Sequence, residues 1–237
     1  MVAFGQILKK AVLNLPPKGI VNLHGSLLPA YRGAAPINWA SINGDTESGV
    51  TSMFTEAGVD TGPMLLKRQV PIGPDMTAEE LAHELSEVGA PLIVETLEKL
   101  QSGFLKPEKQ DDTQATFAPM LGKELGHLNW NKGASVIHNL VRGLVPWPGT
   151  YTNFRGLPLK IVKTSLHLTE EAKSKAKTTP SEAGAFVEAG KQLYIKCGES
   201  GSELIQILAV QPTNKGKLAA SEWLNGARIT AQDRLGS

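Results

Sequence analysis

Cysteine is nearly absent from the chain. Cys197 is the only one in 237 residues, which excludes an intramolecular disulfide and fits a reducing compartment, either the cytoplasm or an organelle matrix. No histidine or basic cluster flanks it in sequence, so it reads as a small apolar filler of a strand rather than a reactive thiol. Histidine is also scarce, with five in all and widely spaced. No Cys or His group has metal-ligand spacing, so no metal site is expected. The sequence lacks a GxSxG elbow and a Walker-type phosphate loop. No apolar run approaches the roughly 20 residues that cross a bilayer, and no membrane partner is expected. The first residues have neither the charged region nor the long apolar region of a secretory signal.

What remains is the composition of an ordinary globular protein, 41% hydrophobic and 20% charged, long enough for two domains. The formal net charge of +1 hides an asymmetry. Residues 1–118 hold 9 Lys and Arg against 14 Asp and Glu, whereas residues 119–237 hold 15 against 9. An acidic half is thus followed by a basic one, which suits a polyanionic partner for the second half.

The first half reads as mixed α/β. A short helical turn over 11–15 ends at Pro16 and Pro17, and a strand runs over 19–24. A helix is expected over 35–43, with Pro36 in its first turn and Gly44 beyond its end. Trp39 reads as core packing. Two β-rich runs, 49–56 and 63–70, suggest a hairpin-like pair with Asp60 in its connection. Residues 77–100 form the clearest helix, opened by a Thr77/Glu80 capping box and carrying Leu81, Leu85 and Val88 at helical spacing, with Pro91 placed to kink or divide it. The polar stretch 103–118 reads as an interdomain linker.

The second half changes character. A short amphipathic helix over 134–144 leads into VPWPGTY, where Trp147 between two prolines reads as a core or interface plug. Five strand-like runs follow, at 150–154, 157–168, 184–188, 192–197 and 203–210, and suggest a small OB-like barrel. The charged stretch 169–181 reads as a mobile, solvated loop or as a contact for a phosphate backbone.

The densest chemistry lies in GIVNLHGSLLPAYRG, residues 19–33. Asn22 and His24 alternate along the strand end and so point to one face. The carboxyl ends of strands are where open α/β sheets place ligands. With Asp60 they supply an amide donor, a proton-carrying ring and a carboxylate, a set able to stabilise an oxyanion and to move a proton. Each letter also has a plainer reading, above all Asp60, whose carboxylate suits bonding to backbone amides in a turn.

The runs NLHGSLLPAYRGAAPINWA and GVTSMFTEAGVDTGPML resemble the folate-dependent formyltransferases. In that family an Asn-x-His pair followed by SLLP, together with an Asp in a GxDTGP-like loop, forms the catalytic centre. The later runs FAPMLGKELGHLNWN, RGLVPWPGTYTNF and GKLAASEWLNGARI resemble the branch that acts on methionyl-tRNA. The resemblance implies an incomplete doubly wound, Rossmann-like catalytic domain over 1–102, a linker over 103–118, and an OB-like tRNA-binding domain over 119–237. Members begin with about three further strand and helix units before the equivalent of MVAFG, hence the expectation of incompleteness. It implies 10-formyltetrahydrofolate as co-substrate, initiator methionyl-tRNA as partner, and Asn22, His24 and Asp60 as catalytic residues. Phe4, Gly5, Gln6 and Ile7 would line the pterin pocket, and Ser26, Leu27, Leu28 and Pro29 would fix the loop beside the centre. Two alternatives stand beside this reading: formyl transfer to a small amine, and a chain that keeps tRNA binding without activity.

Overall fold

The computed structural model describes residues 8–236, and the chain divides into two compact units: Met1–Ala40 with Asp45–Met120, and Ser41–Gly44 with Leu121–Ser237. The elements of the first half are α1 (Lys10–Leu13), β1 (Val21–His24), β2 (Arg32–Gly33), α2 (Pro36–Asn43), β3 (Glu47–Phe54), β4 (Met64–Pro71), α3 (Ala78–Gln101) and β5 (Phe117–Ala118). The mixed α/β order expected from sequence is present. The described sheet is antiparallel, in the order β1-β3-β4, and the parallel repeats of a doubly wound sheet are not among the described strands. A second pairing, β2 with β5, is parallel and two residues long.

Helix α3 covers one face of the β1-β3-β4 sheet. Its start is closed by the expected capping box, in which the Glu80 N–H donates to Thr77 Oγ1 and the Thr77 N–H donates to a Glu80 carboxylate oxygen. Leu81, Leu85 and Leu92 are buried against Val50, Val70 and Ile72. Complete burial of such a side chain stabilises by about 1.5–3 kcal/mol. At Gly89 an added Cβ would stand 2.8 Å from Leu23 Cδ2, so glycine permits the helix to approach β1. Buried Thr96 bonds Ser52 of β3 through their hydroxyls, at 2.8 Å. Pro91 does not divide the helix as the sequence suggested; it lies on the exposed side, and the helix runs unbroken to Gln101.

Residues 103–118 are not a free tether. Met64 and Glu108 exchange two backbone hydrogen bonds of 2.8 Å, Gln110 is buried, and β5 pairs with β2. The stretch reads as a linker because it is polar, yet Gln110, Asp112 and Thr116 spend their side chains on partners in the first unit.

The second unit holds α4 (Ala134–Gly143), β6 (Thr150–Phe154), β7 (Leu157–Ser165), α5 (Glu170–Thr178), β8 (Phe186–Ala189), β9 (Gln192–Cys197), β10 (Glu203–Pro212), β11 (Leu218–Ala219) and α6 (Ala220–Ala227). The sheet order is β6-β7-β10-β9-β8, with β11 added beside β10. The path is open, which refines the expectation of an OB-like barrel: no ladder joins β6 to β8 among the described residues. Instead the C-terminal segment touches both edges by single bridges, Phe154 to Leu235 and Ala185 to Arg234. Arg155 helps hold it there. The Arg155 and Gly156 turn has positive φ at both residues, as a tight hairpin requires, and the Arg155 guanidinium donates to both carboxylate oxygens of Asp233 at 2.7 Å.

Three further readings change. Residues 170–178 form a helix rather than a mobile loop, because Thr169 caps it, Glu170 and Glu171 favour its positive end, and Ala172 and Ala176 pack against Val187, Ala189, Tyr194 and Leu204. Helix α6 was not anticipated at all; its Trp223 joins a core formed with Ile137, Ile161, Ile195 and Ile205. Trp147 is 52% exposed and plugs no core. Cys197 is buried in β9 as expected. Among the described residues no helix is long and apolar enough to cross a membrane.

Candidate functional site

The geometry of the site begins with the register of β1 on β3. Asn22 lies opposite Met53, Leu23 opposite Ser52, and His24 opposite Thr51. Leu23 packs into the cluster beneath α3, and Ser52 bonds α3 through Thr96. By alternation Asn22 and His24 face away from that helix. The two side chains singled out from sequence therefore do share a face. His24 is 6% exposed, and Asn22 is half-buried.

Two backbone features fix the His24 ring. Its Nε2 lies 2.9 Å from the carbonyl oxygen of Tyr31. A carbonyl only accepts, so Nε2 carries a proton and donates. Tyr31 offers that carbonyl from a left-handed conformation, φ 61°, and is held by its own N–H to Thr116 Oγ1 at 2.8 Å and by its phenol O–H to Asp45 at 2.7 Å. The other ring nitrogen, Nδ1, stands 3.6 Å from Asp60 Oδ2. That is beyond hydrogen-bond length and within reach of a small shift. Both nitrogens thus face oxygen acceptors.

Asp60 sits in the connection between β3 and β4 at φ 52°. Its Oδ2 accepts from the Gly33 N–H at 2.9 Å. The carboxylate does bond a backbone amide, though that of Gly33, 27 positions away, rather than a neighbour in its own turn as the plainer reading expected. Gly33 is suited to the task because its φ is 127° and an added Cβ would lie 2.6 Å from the Ala118 carbonyl oxygen.

Sequence reasoning missed the clamp behind Asp60. Gln110 is 4% exposed, and its Nε2 donates to the carbonyl oxygens of Asp60 at 2.7 Å and Gly62 at 2.8 Å. Its Oε1 accepts from Arg32 Nε at 3.0 Å, while the Arg32 guanidinium also pairs with Asp112 at 2.8 Å. Nothing in the stretch KQDD marks Gln110 in advance, since its partners are 48 to 78 positions away.

The loop after β1 is largely turned inward. Ser26 is fully buried and donates to the Ala30 carbonyl, and Thr51 Oγ1 donates to the Ser26 carbonyl at 2.7 Å while accepting from the Leu28 N–H at 3.1 Å. Leu28 is 1% exposed and packs with Met53 and Met64. Leu27 closes over Gly49, where an added Cβ would meet it at 2.5 Å, and Pro29 is half-buried. Ser26, Leu27 and Leu28 shape the loop through these inward-turned side chains as well as through their backbones. Phe4, Gly5, Gln6 and Ile7 lie outside the described residues. No group of three or more His, Cys, Asp or Glu suited to a metal occurs among the described residues.

Chemically, the arrangement offers an amide and an imidazole N–H on one strand face, with a carboxylate behind the ring. Two family models match the chain: one described as formyl transferase over residues 1–97, and one described as formyl transferase, C-terminal domain, over residues 120–228. The methionyl-tRNA formyltransferase of Solibacter usitatus is 45% identical over 236 residues, covering 100% of this chain and 72% of that protein. The methionyl-tRNA formyltransferase of Trichlorobacter lovleyi is 46% identical over 227 residues, covering 95% and 68%. Among solved structures, the sugar 3N-formyl transferase WlaRD, crystallised with dTDP and 5-N-formyl-THF, superposes with a TM-score of 0.67 at 23% identity, covering 91% of this chain and 72% of that one. HypX from Aquifex aeolicus superposes with a TM-score of 0.64 at 18% identity, covering 87% and 35%. These two likenesses concern the fold.

Proposed function

Because the chain belongs to the methionyl-tRNA formyltransferase family, we propose that it transfers a formyl group from 10-formyltetrahydrofolate to the α-amino group of methionine on initiator tRNA. The observation that carries the assignment of roles is His24: a buried ring at a strand end, donating through Nε2 and backed at Nδ1 by Asp60. In the reaction the amine attacks the formyl carbon and the carbonyl oxygen becomes an oxyanion. Donors already in place stabilise that charge without reorganisation. Asn22 and His24 supply them from one face of β1. The His24 Nε2–H, which rests on the Tyr31 carbonyl, turns to the oxyanion as it forms, while Asp60 stands behind Nδ1. The carboxylate orients the ring and takes part, directly or through water, in moving the amine proton toward N10 of the folate.

Residues 1–102 carry these side chains in this reading, and the basic residues after 118 supply the surface for the tRNA backbone. Ser26 to Pro29 shape the wall beside the centre. Phe4 to Ile7 remain the proposed pterin contacts.

The test is direct. The chain incubated with 10-formyltetrahydrofolate and charged initiator tRNA is expected to yield formyl-methionine. His24→Ala and Asp60→Asn are expected to lower turnover at least about a hundredfold. The asparagine variant still offers an oxygen to the Gly33 N–H, so its loss reports the charge rather than the loop. Near-normal turnover of both variants would remove the mechanism, and absence of product from the folded chain would remove the function.

A further inference from the structure

Within the second unit lies a cavity of about 670 Å³, lined by residues of that unit alone. Its wall includes Lys173 and Lys177 of α5, Lys196 of β9, and the apolar side chains of Leu166, Leu168 and Leu204. That volume falls in the range of small-molecule sites, which join an apolar lining to a few fixed polar groups.

Lys196 is the unusual member. It is 4% exposed, yet it forms no ion pair among the described residues. Its ammonium donates to the Thr179 carbonyl oxygen at 2.9 Å. An ammonium has three N–H donors, and one carbonyl does not compensate a buried charge. Burial also lowers its proton affinity, the direction expected of a cation without a counter-charge. The carboxylate on the same wall, Glu203, is committed elsewhere, accepting from the Ala134 N–H at 2.9 Å. Of the other two lysines, Lys173 pairs with Glu170 at 2.6 Å, whereas Lys177 is exposed and forms no ion pair among the described residues. The cavity therefore presents two ammonium groups, neither within ion-pair distance of a carboxylate among the described residues, beside leucine side chains and Glu203.

We propose that this cavity binds a small organic phosphate, its phosphoryl oxygens between Lys196 and Lys177 and its apolar body against Leu166 and Leu168. The phosphate supplies the counter-charge that Lys196 lacks, through charge-assisted hydrogen bonds of the stronger kind. The leucines favour a ligand with a hydrocarbon or aromatic portion over the bare ion. The site is separate in its residues from Asn22, His24 and Asp60.

The experiment is calorimetric titration of the full chain with phenyl phosphate and, in a parallel arm, with inorganic phosphate. Phenyl phosphate is expected to bind more tightly than inorganic phosphate. Lys196→Met is expected to weaken phenyl phosphate binding at least about tenfold, the loss that removing one charge-assisted bond entails. Should that buried substitution prevent folding, Lys177→Glu on the exposed face of α5 reverses one charge without touching the core and is expected to weaken binding by a similar factor. The titration needs neither the folate nor tRNA, so failure of this site is distinguishable from failure of the catalytic reading, on which it does not rest. No binding of either probe at about 10 mM, a concentration reached by even weak specific sites, overturns the proposal. So does unchanged affinity in Lys177→Glu, or equal affinity for the two probes.

Discussion

Replacing Gln110 by leucine tests whether the clamp behind Asp60 holds the catalytic loop. The side chain makes three hydrogen bonds, two from Nε2 to the carbonyls of Asp60 and Gly62 and one from Arg32 Nε to its Oε1. Leucine has a similar volume, so the packing change is small and the polar loss dominates. Three net hydrogen bonds at about 1 kcal/mol each give about 3 kcal/mol, and stranded buried carbonyls raise the cost further. Arg32 keeps its second anchor at Asp112, whose side chain is 74% exposed, so the guanidinium itself is not orphaned. With a urea dependence of about 2 kcal/mol per molar, the midpoint for the first unit should fall by about 1.5 M.

The same substitution has a local signature. The Asp60 loop loses the two bonds that hold its carbonyls, so amide hydrogens of residues 55–63 should exchange faster while those of α3 keep their protection under native conditions. Turnover should fall with them, because the 3.6 Å approach of Asp60 to His24 depends on where this loop sits. Gln110→Glu sharpens the inference. It retains an acceptor for Arg32 but turns carboxylate oxygens toward two carbonyls, so it should disturb the loop despite its near-identical shape. A cost below about 0.5 kcal/mol for Gln110→Leu, within the range of an ordinary surface substitution, would refute the reasoning. Unchanged exchange in residues 55–63 would refute it independently.

Two further outcomes follow from perturbed groups in the second unit. The Arg155 guanidinium, with help from the Thr230 N–H, holds the Asp233 carboxyl well below the usual carboxylate range. A depressed folded-state pKa contributes stability that is fully present above the unfolded value and is lost as pH falls through the folded one. Asp233→Asn should therefore lower the melting temperature at neutral pH, and its gap to the parent should close on acidification below about pH 4, the ordinary aspartate range; a gap constant down to strong acid would contradict this. Burial, and secondarily Glu203, pushes the Cys197 thiol up to about 12. The folded chain should resist a thiol-specific disulfide reagent at pH 8 and react only after unfolding, as titration with and without denaturant would show.

How much of this was legible in advance depends on the range of the interaction. Asn22 and His24 could be paired from the sequence because strand alternation acts over two residues, and the α3 cap could be read because Thr77 and Glu80 are three apart. The β3-β4 hairpin was visible because its two β-rich runs flank a glycine-bounded loop. Helix α5 was not, since its charges suggest a loop until Ala172 and Ala176 find Val187 and Tyr194 beneath them. Gln110 was hidden for the same reason: its stretch is polar, and only the fold shows that the polarity is spent on Asp60, Gly62 and Arg32. How the OB-like sheet ends was not legible, because single bridges from Arg234 and Leu235 take the place of a ladder between edge strands, and no strand pattern announces them.

The catalytic reading therefore depends on two kinds of restraint that sequence reveals unequally. The ring of His24 is aimed by its alternation along β1 and by the carbonyl of Tyr31, seven positions on, both short-range in the chain. Asp60 is aimed by distant groups, the Gly33 N–H through its side chain and Gln110 through its backbone. Substitutions in the first set should remove a donor and leave the other intact. Those in the second leave both catalytic side chains present but displaced, and a shift of about 1 Å is enough to cost about a hundredfold in rate. Low turnover in Gln110→Glu with the fold retained would place positioning, rather than the mere presence of the three side chains, at the centre of how this site works.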